Sequence, residues 1–164
     1  MKSTDSLRRQ HSDLLRLADE IAPLLDAGRL TRDSTLARLK LSTWVRKLRV
    51  HLALEDRSIY PRLRHADPNM AAKAAQHRRE MQAMHERVMR RTPPQLSRQF
   101  ETEADATTFI REVKAQFDLL SKSFELEENE FYVLVDAIPS GTWTIDGVPV
   151  DPDVEKRKLV GKGS

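Results

Sequence analysis

Apolar residues recur every three or four positions through most of this chain, the period of helices with one face turned to a core. Leu7, His11, Leu14, Ala18, Ile21 and Leu25 make the first stripe, over about residues 4–27. Gly28 suits its C-terminal stop, and Pro23 a kink within it. Leu41, Trp44, Leu48, His51, Glu55 and Ile59 make the second, over about 32–63. Thr31 or Asp33 is its N-cap, and Pro61 loosens or ends the helix. Met70, Ala74, His77, Met81, Met84 and Val88 make the third, over about 68–91, opened by Asp67-Pro68 and broken by Thr92-Pro93-Pro94. The fourth, over about 102–137, follows a short turn around 95–100. Its stripe is Ala106, Phe109, Val113, Phe117, Leu120, Ser123, Glu127, Phe131 and Leu134, and Pro139-Ser140-Gly141 ends it. Four amphipathic helices on shortish connections predict an all-α fold, an antiparallel up-down-up-down four-helix bundle. The bundle occupies residues 1–138. Residues 139–164 form a C-terminal tail, in which Thr142–Val150, with Asp146-Gly147 as a turn signal, suits a small hairpin or an extended strand.

Composition narrows the chemistry. The chain has 164 residues, enough for one core, and no cysteine. Disulfides, thiolate zinc sites and cysteine-ligated iron–sulfur clusters are thereby excluded, leaving His, Asp and Glu as side-chain ligands. No apolar run approaches the roughly 20 residues of a membrane span, and Met1–Asp5 lacks a signal-peptide core, so a soluble cytoplasmic protein is expected. The net charge of +3 hides an asymmetry: 21 Lys/Arg against 11 Asp/Glu in residues 1–100, and 7 against 14 in residues 101–164. The basic residues are scattered, without aromatic interleaving. They read as solvated helix faces that pair with the acidic C-terminal half, and not as a nucleic-acid surface.

Each apolar stripe carries an ionisable residue: His11 on the first, His51 and Glu55 on the second, His77 on the third, Glu127 on the fourth. Such groups are costly on an inward face unless something binds them. A lone seam histidine is ordinarily a hydrogen-bonded core residue, Glu55 could pair with an arginine, and Glu127 could belong to the solvated run Glu125, Glu127, Glu128, Glu130. Convergence of three imidazoles and two carboxylates from four helices instead suits a metal ion bound in a bundle. This donor set fits iron, with zinc or manganese as alternatives. Glu80, Asp56 and Glu128 are reserve carboxylates. His65 and His85 are expected at the surface, and Met70, Met81 and Met84 as core filling. No residue is assigned a catalytic role, and no nucleophile–base arrangement suggests hydrolysis.

The stretches Leu7-Arg-Arg-Gln-His11-Ser-Asp-Leu-Leu15, His51-Leu-Ala-Leu-Glu55-Asp-Arg-Ser-Ile-Tyr-Pro61, Gln76-His77-Arg-Arg-Glu-Met81 and Ser123-Phe-Glu-Leu-Glu127-Glu-Asn-Glu-Phe-Tyr132 resemble a hemerythrin-like domain of the HHE cation-binding type, over about residues 4–137. The resemblance implies an antiparallel four-helix bundle around a non-haem di-iron centre. His11 and His51 would terminate one iron and His77 the other, with Glu55 and Glu127 bridging. Members of the family carry or sense oxygen, store or sense iron, or serve nitric-oxide and oxidative-stress defence and iron–sulfur repair. Two positions depart from the oxygen carriers' pattern: Met81 stands where a second third-helix histidine falls, and Ser123 where the fourth-helix histidine falls. The expectation is therefore a metal-binding sensor or stress protein with a di-iron or mono-iron site that meets O2 or NO, with di-iron oxidase or peroxidase chemistry left open. The alternative is a metal-free degenerate bundle acting through a protein partner or homodimer, suggested by Ser123, the charge asymmetry and the Trp143 tail.

Overall fold

All four stripes become helix in the computed structural model, which describes residues 3–96, 100–138, 144–145 and 148–149. The fold is all-α apart from Thr144–Ile145 and Val148–Pro149, which pair antiparallel (Thr144 with Pro149, Ile145 with Val148). That pairing is one of the two forms expected for the tail. The Asp146-Gly147 turn signal, Trp143 and the rest of the tail lie outside the described residues, as do residues 97–99 of the predicted 95–100 turn, of which Gln95 and Leu96 are helical.

Helix ends depart from the sequence reading where proline and capping chemistry compete. Helix α1 (Asp5–Ile21) gives way to a single 3-10 turn, Ala22–Leu24, containing Pro23. Gly28 is not a stop. It lies inside α2 (Ala27–Arg32), because Asp26 starts a new helix by accepting the Arg29 N–H at 2.8 Å. Helix α3 (Thr35–Ser58) has Ser34 at its N-cap position, and neither Thr31 nor Asp33; Asp33 stands one residue outside, its carboxylate accepting the Thr35 N–H at 2.9 Å. As expected, the helix is interrupted near Pro61: α3 ends at Ser58 and a new helix, α4 (Tyr60–Ala66), begins with Pro61 as its second residue, where a missing N–H costs no intrahelical bond. Asp67 caps α5 (Pro68–Leu96), accepting from the N–H groups of Asn69 and Met70 at 2.9 and 3.2 Å. The α5 backbone passes through Thr92-Pro93-Pro94, which the sequence reading took as a break. Proline's fixed φ is itself helical, so the last turn of α5 keeps its course although each proline removes a donor and crowds the turn before it.

The fourth stripe is built from α6 (Glu103–Leu126), a π-type turn (Glu127–Phe131) and α7 (Tyr132–Asp136). Thr102 caps α6 through the Asp105 N–H, and the Tyr132 N–H reaches back five residues to the Glu127 carbonyl. A π turn adds one residue to the helical repeat. The inward stripe consequently slips by one position beyond it: Val135 is buried, while Leu134, the predicted core residue, is only half-buried.

Cross-helix contacts join early residues to late ones. Lys40 meets Glu20 at 3.1 Å between α1 and α3, and Arg78 meets Asp56 at 3.0 Å between α3 and α5. Lys73 meets Glu130 between α5 and the π turn. The Thr4 hydroxyl donates to Asp136 at 2.7 Å, tying the start of α1 to the end of α7. Arg8 stands 3.6 Å from both Asp136 and Glu128. The basic first half thus pairs in part with the acidic last helix. Two apolar clusters fill the interior. One includes Leu14, Ile21, Leu41, Trp44, Leu48, Met84 and Leu120; the other includes Leu7, Leu54, Ile59, Leu63, Phe131, Tyr132 and Val135. Full burial of a Leu, Ile or Phe side chain contributes about 1.5–3 kcal/mol, and these clusters hold the helices together. Along each helix the seam ionisable residues fall between the two clusters, as His11 falls between Leu7 and Leu14.

Candidate metal centre

The polar layer between the clusters holds all five ionisable residues expected on the seams, each at most 5 % exposed. His11, His51, Glu55 and Glu127 each direct a donor atom into one cluster, with these atoms all within 4.8 Å of one another. His11 Nε2 lies 3.1 Å from His51 Nε2 and 3.1 Å from Glu127 Oε2, and His51 Nε2 lies 3.6 Å from Glu55 Oε1. His77 joins through the other oxygen of Glu127, with Nε2 2.6 Å from Oε1. Each residue arrives through helical spacing: His51 and Glu55 are one turn apart on α3, while Glu127 opens the π turn.

Outer partners fix which ring nitrogen faces inward. His11 Nδ1 is 2.7 Å from the Glu128 carboxylate, an acceptor only, so Nδ1 carries the proton. His51 Nδ1 donates to the Gln10 side-chain oxygen at 3.0 Å. Both Nε2 lone pairs then face each other across 3.1 Å, a repulsive contact that a cation between them would relieve. Two buried carboxyl oxygens, Glu55 Oε2 and Glu127 Oε2, meet no donor from any other residue, although the two carboxyls can share a proton between themselves; Glu127 Oε2 is close to His11 without hydrogen-bond alignment. Phe124 stacks on the His11 ring at 3.7 Å between centroids and holds its plane.

Burial sets the protonation states. It lowers His11 to about 3, with the Arg8 charge adding to the effect, and holds His51 well below its usual value, with His11 adding. His77 is also lowered by burial, against the pull of Glu55 and Glu80. The imidazoles are therefore neutral at pH 7. Burial raises Glu55 well above the carboxylate range, Glu127's charge adding to it, and lifts Glu127 to about 8 against a lowering interaction with Glu55. Without a cation the site disfavours its own carboxylates. Neutral imidazoles and crowded carboxylate oxygens are the donor set that a divalent or trivalent metal satisfies.

The reserve residues sort themselves by contact. Glu80 is exposed and accepts from Gln76 at 2.8 Å. Asp56 pairs with Arg78, and Glu128 serves His11 from outside the cluster. His65 is exposed as expected. His85 is half-buried, lining a groove between α3 and α5 with Arg49, Met81 and Arg78. Met81 and Met84 are core residues. Ser123, in the place of the absent imidazole, is buried one turn before Glu127. Sequence reasoning passed over two participants. Gln10 looks like any solvated helix residue. Tyr132 ends the fourth motif stretch with no role attached to it; its hydroxyl donates to Glu55 Oε1 and lies 3.1 Å from His11 Nε2. The π turn that aims it has no simple period in sequence.

Helices that surround a buried layer of imidazoles and carboxylates define a helical protein whose interior could hold a metal ion. The model of the hemerythrin HHE cation-binding domain matches residues 2–135, and the chain belongs to that family. No curated protein and no solved structure matches it. No helix among the described residues is long and apolar enough to cross a membrane.

Proposed function

We propose that residues 1–138 form an antiparallel up-down-up-down four-helix bundle whose polar layer binds non-haem iron, with His11, His51, Glu55, His77 and Glu127 as ligands, and that this centre senses oxygen, nitric oxide, redox state or iron in a stress response. The observation that carries the reading is the pair of inward Nε2 lone pairs 3.1 Å apart, beside two buried carboxyl oxygens that no other residue's donor meets. Iron would supply redox and diatomic-ligand chemistry. The chain's own residues orient it: Glu128 and Gln10 hold the His11 and His51 rings, Phe124 holds the His11 plane, and the apolar clusters above and below exclude water.

The donor inventory is uneven. Nitrogen ligands concentrate on the His11–His51 side, while the His77 side has one imidazole and the shared Glu127. A single well-held iron, with a weaker second position, follows from that count. Without a metal the two buried carboxyls must keep protons near neutral pH, and a cation would take the place of those protons. The test is to purify the protein from iron-supplemented cells, reconstitute it anaerobically and measure iron per chain. One to two irons per chain supports the reading; less than about a tenth, unchanged by reconstitution, refutes it.

A further inference from the structure

We propose that Tyr132 is itself a metal ligand, a phenolate donor to the ion held by His11, His51, Glu55 and Glu127; this rests on the metal-binding reading above. In a regular α-helix, residues five apart point about 140° away from each other, so Glu127 and Tyr132 could not share a site. The hydrogen bond from the Tyr132 N–H to the Glu127 carbonyl closes a wider turn and brings the two residues toward one face. The fully buried ring stacks beside His11, with centroids 5.3 Å apart. Its oxygen then meets two of the cluster's donor atoms, Glu55 Oε1 and His11 Nε2.

The contact with His11 is the informative one. The hydroxyl has one proton and two acceptors in reach: Glu55 Oε1, and His11 Nε2 3.1 Å away, whose own ring proton resides on Nδ1 against Glu128. The phenolic oxygen therefore stands among the donor atoms of both residues, as a third ligand of one ion would. A residue that only oriented Glu55 would need its contact with Glu55 alone. Tyr132 raises the cluster from two nitrogens and two oxygens to two nitrogens and three oxygens. Coordination exchanges the phenolic proton for the metal and releases that proton to solvent, with no electron transferred. A hard anionic oxygen would favour iron(III) over iron(II), lowering the potential at which an added oxidant converts one to the other.

The test compares the wild-type chain with Tyr132→Phe and Tyr60→Phe, each loaded with Fe(II) without oxygen and then oxidised. The chain has only two tyrosines, so the assignment is binary. Wild type and Tyr60→Phe should show a visible phenolate-to-iron(III) charge-transfer band with resonance-enhanced phenolate ring vibrations. Tyr132→Phe should bind iron and lose both. In wild-type protein grown on ring-deuterated tyrosine those vibrations should shift, a result that does not depend on any variant folding. An iron-loaded wild-type chain with no such band, or one kept in Tyr132→Phe, overturns the proposal while leaving the metal centre standing. A wild-type chain that binds no iron overturns both.

Discussion

Raising the pH should destabilise the metal-free protein, the opposite of what carboxylates in favourable ion pairs produce. Glu127 is 1 % exposed, and burial lifts its carboxyl from 4.5 to about 8. Below pH 4.5 both folded and unfolded chains hold this proton. Between 4.5 and about 8 the unfolded chain releases it and the folded chain keeps it, so each pH unit favours unfolding by about 1.4 kcal/mol. His11 acts in the other direction. Its value falls from 6.5 to about 3, so folding loses stability as the pH drops below 6.5. Glu55 and His51 shift in the same senses as their partners. The two slopes oppose each other between 4.5 and 6.5, giving a plateau, and stability declines on either side. From about pH 6.5 to about pH 8 the Glu127 carboxyl alone removes about 2 kcal/mol, or roughly 4–8 °C of Tm for a chain of this size. The assay is thermal unfolding by circular dichroism in a chelating buffer across that range. Glu127→Gln should flatten the alkaline limb. A metal-free Tm that stays level or rises from pH 6.5 to 8 would refute the view that these carboxylates are held together against their own charge.

Three further outcomes follow from particular contacts. Asp136→Ala removes the acceptor for the Thr4 N–H and hydroxyl, and should cost about 1–3 kcal/mol in urea unfolding; an unchanged midpoint would show that the clasp between α1 and α7 contributes nothing. Glu128→Ala leaves His11 Nδ1 without its acceptor, and should weaken metal affinity by about 10–100-fold with little loss of fold, since the side chain is a third exposed; equal affinity in a direct titration would refute that orienting role. Ser123→His should raise iron occupancy toward two per chain by adding the absent imidazole beside Glu127; an unchanged count would mean that this buried position does not face the centre.

Much of the layer was legible because helical period alone turns a residue inward. The steps Leu7, His11, Leu14 and Leu48, His51, Glu55 need no tertiary information, and all six are buried. The ends of helices were less legible, since proline acts through position. Pro61 in the first turn of α4 is harmless, and Pro93-Pro94 continues a helix that the residue types alone would stop. The fourth helix departs from the expected stripe beyond Phe131 for one reason. The π turn inserts a residue without a sequence signal, moving the inward stripe from Leu134 to Val135 and bringing Tyr132 to the centre. The orienting partner Gln10 was beyond reach, and Glu128 was legible only as a reserve carboxylate, because contacts between helices decide which solvated residues fold back over the site.

The most direct test of a metal-binding layer is the melting temperature of the purified chain, measured without oxygen in chelator and again in excess Fe(II), beside His51→Ala. A ligand present at 100 times its Kd stabilises the state that binds it by about 2.7 kcal/mol. Wild type should therefore melt several degrees higher in Fe(II), by roughly 5–10 °C, and His51→Ala should lose most of that gain. Identical wild-type melting in chelator and in Fe(II) would contradict the account.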